Sequence, residues 1–102
     1  MNRKEFIENE IKLEPQNPMN YYLLALEYRK LANHIEFENT LELLLDRFNN
    51  YLPTYYMYAE YLYSNNQNEK ADKIAIKGIE LTLITKNTKM LNELKQLIEI
   101  NS

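Results

Sequence analysis

The sequence predicts an all-α protein, a solenoid-like stack of about six helices arranged as helix-turn-helix pairs. Three observations predict it. Apolar residues recur at i, i+3, i+4 and i+7 through most of the chain, which is the stripe of a helix with one buried face. The breaks between stripes are short and polar, as at Asn65-Asn66-Gln67-Asn68, where no apolar residue interrupts a turn signal. The second and fourth periodic segments also match at an offset of 34 residues: Tyr21, Tyr22 and Ala25 recur as Tyr55, Tyr56 and Ala59, with Asn33 falling over Gln67.

The first element, about residues 2–14, places Phe6, Ile7 and Ile11 on one side and ends before Pro15, because the residue preceding a proline is pushed out of helical geometry. At about a dozen residues it is marginal alone and must dock. Pro18 suits the first turn of the next helix, residues 18–31, whose stripe is Tyr21, Leu24, Ala25 and Tyr28. Ala32-Asn33-His34 is the expected break, with Asn33 as the residue that tolerates a left-handed backbone. A third helix, about 35–48, turns Phe37, Leu41, Leu44, Leu45 and Phe48 inward. The fourth starts near Thr54 and carries six of the nine tyrosines on or beside it, with Tyr55, Tyr58, Ala59 and Leu62 in its stripe. Its other tyrosines fall off that stripe, so it should be touched on several sides.

A fifth helix, about 69–83, has the small-residue face Ala71, Ile74, Ala75, Gly78 and Ile79. Glycine within a helix costs about 1 kcal/mol against alanine, so Gly78, the chain's one glycine, predicts close approach by another helix. The last helix, about 88–100 behind an Asn87 cap, buries Met90, Leu91, Leu94, Leu97 and Ile98 and reads as a lid on the stack. The expected organisation is one domain: a docking helix at 2–14, repeat one at 18–51, repeat two at 52–85 and a capping helix at 87–100.

Composition narrows the function. A net charge of -3 argues against nucleic acid or an anionic membrane as partner, since both require clustered Lys and Arg. Without cysteine there is no disulfide, thiol chemistry or Cys-based zinc site. One glycine excludes a glycine-rich phosphate loop. No apolar run reaches about 18 residues and no signal h-region opens the chain, so a cytoplasmic location is expected. His34 stands alone at a turn, and pairs such as Glu8-Glu10 and Glu36-Glu38 point apart at i, i+2, so neither a metal nor a cofactor is expected.

A helix-turn-helix period of 34 is the sequence signature of tetratricopeptide (TPR) repeats. The run from Leu13 through Pro15, Pro18, Tyr21, Leu24, Ala25 and Tyr28 to Leu31 resembles the TPR consensus, as do Tyr55, Tyr58, Ala59 and Leu62 followed by Ala71, Ala75 and Gly78. The chain is similar to small two-repeat bacterial TPR proteins with an added helix at each end. Departures are the bulky Phe37 and Leu44 where the family favours alanine, and Asn49 where a linking proline is usual.

The resemblance implies a right-handed solenoid whose first helices line a concave, tyrosine-rich groove that binds an extended or helical protein segment without catalysis. The groove residues it implies are Met19, Tyr22, Leu26 and Arg29 from repeat one and Pro53, Tyr56, Glu60 and Tyr63 from repeat two. Tyrosine and arginine are enriched at binding hot spots. The family's carboxylate clamp of Lys, Asn and Arg is replaced here by Tyr22, Leu26, Tyr56, Met57 and Glu60, so an apolar or amphipathic segment is the expected ligand, with Glu60 and Arg29 setting charge preference. Two rivals stand beside this reading. A self-associating helical protein, a homodimer, would use Met57 and Tyr61, which lie off both the core stripe and the groove. An enzyme centred on Glu60 among tyrosines is the remoter one.

Overall fold

The computed structural model describes residues 2–102 as six α-helices, with no strand among them. They are α1 (Arg3–Leu13), α2 (Pro18–Lys30), α3 (His34–Arg47), α4 (Pro53–Ser64), α5 (Asn68–Thr85) and α6 (Thr88–Ile100). Four start on an asparagine. The side chains of Asn2, Asn17, Asn33 and Asn87 accept from the backbone N–H groups of Glu5, Met19, Glu36 and Met90, each cap being worth about 1 kcal/mol. Pro18 and Pro53 open α2 and α4, where their fixed φ fits the helix and their missing N–H costs nothing.

The turns repeat more faithfully than the residues in them. After α2, the Asn33 N–H donates to the Tyr28 carbonyl (2.9 Å) and the Ala32 N–H to the Arg29 carbonyl (3.1 Å). After α4, and 34 positions on, Gln67 donates to Leu62 (2.9 Å) and Asn66 to Tyr63 (3.1 Å). Both are Schellman closures, which require a left-handed residue just past the helix. That residue is Ala32 at φ 58 and Asn66 at φ 62. The expectation that Asn33 would take the left-handed position is therefore corrected: Asn33 caps α3, and the alanine before it turns the corner. His34 accordingly starts a helix and does not sit in the turn. The same closure joins α5 to α6, with Asn87 donating to the Thr82 carbonyl (3.0 Å) past Lys86 at φ 60.

Contacts divide the chain into two compact units, 1–51 and 52–102, at the boundary between the two repeats read from the sequence. In the first, α2 packs against both α1 and α3. Its buried apolar residues are Ile7, Tyr21, Ala25, Tyr28, Phe37, Leu41 and Leu44, of which the large ones contribute about 1.5–3 kcal/mol each. The Tyr21 ring lies 5.5 Å from Phe48, its hydroxyl donates to the Pro15 carbonyl (3.1 Å), and the Arg47 guanidinium stands over it at 5.5 Å. Arg3 ties α1 to α2 through Glu27 at 2.7 Å. Phe6, expected inside, is exposed because only Ile7 on α1 is fully turned towards the core.

In the second unit α5 packs against α4 and α6, and α6 also touches α4. Tyr55, Tyr58, Ala59 and Leu62 are buried as the stripe predicts, together with Ala71, Ile74, Ala75, Leu94 and Leu97. Gly78 sits where α5 comes closest to its neighbours. A Cβ there would lie 2.8 Å from the Tyr55 Cβ and 2.9 Å from the Leu94 Cδ1.

Candidate interaction surface

On α2 the buried residues Tyr21, Ala25 and Tyr28 occupy one side, and at about 100° per residue the opposite side carries Met19, Leu23, Leu26 and Lys30. Met19 is 51% and Leu26 39% exposed, while Tyr22 and Leu23 are half-buried between them. The helix is thus apolar on both sides. Leu23 and Lys30 belong to this face and were not singled out from the sequence, although the spacing 19, 23, 26, 30 was there to be read. Tyr22 meets the Tyr51 ring edge-on at 5.8 Å, which fixes its plane. Burial pushes the Tyr51 hydroxyl pKa above its ordinary value, with the neighbouring Tyr22 adding to it. Arg29 is half-buried, its guanidinium 5.7 Å from the Phe37 ring centre, so its charge sits at the edge of the face on an aromatic support.

The fourth helix differs from its counterpart. It is buried over most of its circumference, and only Pro53, Tyr56, Glu60 and Ser64 remain outside the fully buried set. Three of the four groove residues expected here, Pro53, Tyr56 and Glu60, are half-buried on that one sector. Tyr63 is not on a groove. It is buried, and its hydroxyl donates a short hydrogen bond to the Asp72 carboxylate on α5. Burial first, then that hydrogen bond and the charge of Asp72, push its pKa well above the tyrosine range. Tyr58 is anchored similarly: the Lys70 Nζ donates to its hydroxyl (2.9 Å) and stands 5.1 Å from its ring centre.

The self-association surface expected at Met57 and Tyr61 loses its premise. Met57 is 4% and Tyr61 8% exposed, because α4 is covered on several sides and its second apolar side is interior too. Surface depressions are lined by residues 14–18, by Glu5, Glu8, Asn9 and Lys12, and by residues 66–70 with Lys73. No group of three or more His, Asp or Glu side chains converges among the described residues, and no helix among them is long and apolar enough to cross a membrane. No protein-family model matches the chain, and no curated protein or solved structure matches it.

Proposed function

We propose that this chain is a non-enzymatic protein-protein interaction module of the cytoplasm, built as a right-handed TPR-like solenoid, that holds a protein segment against the outer face of α2. One observation carries the reading: Met19 and Leu26 stand exposed on the side of α2 opposite its core stripe. A helix that only closed a core would place polar residues there. The matching left-handed turns at Ala32 and Asn66, 34 residues apart, support the repeat architecture.

The face has a directed chemistry. Apolar side chains occupy its length, the supported Tyr22 ring adds a rigid aromatic surface, and Arg29 and Lys30 place positive charge at its C-terminal end. An amphipathic helix or extended segment with apolar anchors and an acid beside Arg29 complements it.

The test is affinity capture from the native cell extract, comparing the intact chain with a Met19→Ser/Leu26→Ser variant and with Tyr22→Ala/Tyr56→Ala. The expected result is a discrete set of proteins retained by the intact chain and reduced about ten-fold or more by the substitutions, as loss of hot-spot contacts requires. Equal retention by all three folded chains refutes the assignment of α2.

A further inference from the structure

We propose that a second copy of this chain docks on the outer face of α3, laying its own α5 antiparallel along it. The face is distinct from that of α2, and the inference does not rest on the function proposed above. On α3, Ile35, Glu42 and Asp46 are spaced by seven and then four residues, which keeps them within about 40° of one another on a helix. On α5, Lys73, Lys77 and Ile84 are spaced by four and then seven. The two patterns are mirror images along the chain.

Set antiparallel, Ile35 meets Ile84, Glu42 meets Lys77 and Asp46 meets Lys73, over a length of about 16 Å at 1.5 Å per residue. In the same register Leu43 falls opposite Ile76, and no position sets like charges against each other. Ile35 is 74% and Ile84 78% exposed, and all four charged partners are exposed as well. Charge favours the pairing at the facing positions: α3 carries four acidic side chains against one arginine, and the α5 residues set opposite Glu42 and Asp46 are both lysines, although α5 as a whole balances three lysines with three acids. An apolar pair at one end with complementary charge along the rest fixes direction and register as well as contact. The two surfaces differ, so the contact is heterologous and each copy offers one of each.

Sedimentation velocity of the intact chain over a range of concentrations and salt tests this. The expected result is a mass that rises with concentration and falls back as salt screens the charges. Lys73→Glu/Lys77→Glu alone and Glu42→Lys/Asp46→Lys alone each weaken association about ten-fold or more, by turning attraction into repulsion. Mixing these two variants restores a complex between them. A Lys89→Glu/Lys95→Glu control on α6, equal in net charge to the first variant, leaves both faces of the contact intact and self-associates as the wild type does. Circular dichroism checks each fold, and Ile84→Ser weakens the same contact should a charge reversal unfold the chain. A wild type that stays monomeric at every concentration, reversals without effect, or a control that loses self-association as the first variant does overturns the proposal.

Discussion

Substituting Gly78 with alanine should destabilise the protein even though alanine is the better helix former. Propensity alone favours the change by about 1 kcal/mol. Against it stands the packing at that position, where the added Cβ falls 2.8 Å from the Tyr55 Cβ, 2.9 Å from the Leu94 Cδ1 and 3.3 Å from the Tyr55 Cγ. Carbon atoms pack best at about 3.5–4.0 Å, so roughly an ångström must be found. The Leu94 methyl can yield by rotation, but the Tyr55 Cβ is fixed to the backbone of α4, and only separation of α4 from α5 relieves it. Overpacking of this kind costs about 1–3 kcal/mol, and more where backbone must move. Because backbone must move here, the cost falls in the upper part of that range, and the net expectation is a loss of about 1–2 kcal/mol after the propensity gain. Urea unfolding followed by far-UV circular dichroism measures it, with Lys77→Ala and Lys77→Gly, at an exposed position of the same helix, setting the local propensity difference. A Gly78→Ala midpoint above wild type would refute the close approach.

The left-handed turns make a second expectation. Ala32→Gly and Lys86→Gly each remove a Cβ from a positive-φ residue and should raise stability by about 1 kcal/mol, with Asn66→Gly gaining less because asparagine tolerates that geometry; urea midpoints rank the three. Alkaline pH should unfold the protein cooperatively. Burial raises the folded-state pKa of Tyr63 above its ordinary value of about 10, so the unfolded chain ionises first, stability is intact below about pH 10, and it falls as pH rises through and beyond that value. Each tyrosine held neutral this way adds a slope of about 1.4 kcal/mol per pH unit. Tyr63→Phe should flatten the profile; an unchanged slope in urea titrations between neutral and alkaline pH would count against the buried Tyr63 hydroxyl as its source.

Much of the fold was legible in the residues. The α6 limits followed from the Asn87 cap and a clean apolar stripe, and Gly78 announced a helix crossing because nothing else excuses a glycine there. The period of 34 located both hairpins. Periodicity was weaker at saying how many sides of a helix are covered. It found the deepest stripe of α4 but left Met57, Tyr61 and Tyr63 outside, since tyrosine suits a surface and an interior equally when its hydroxyl finds a partner such as Asp72. Asn33 misled for a related reason. Asparagine serves both a left-handed turn and an N-cap, and the cap won here because α3 begins one residue later. The α2 face was half legible: Met19, Tyr22 and Leu26 were implied by the resemblance to TPR repeats, but that Leu23 and Lys30 complete it depends on which sides α1 and α3 leave uncovered.

The outer face of α2 is proposed as the binding surface of this chain. Methyl-detected NMR titration with a captured partner segment tests it most directly. Binding there predicts saturable shifts of the Met19 and Leu26 methyl signals, while those of Leu41 and Leu44, fully buried on α3, stay in place. Saturable shifts elsewhere in the chain, with Met19 and Leu26 unmoved, would contradict it.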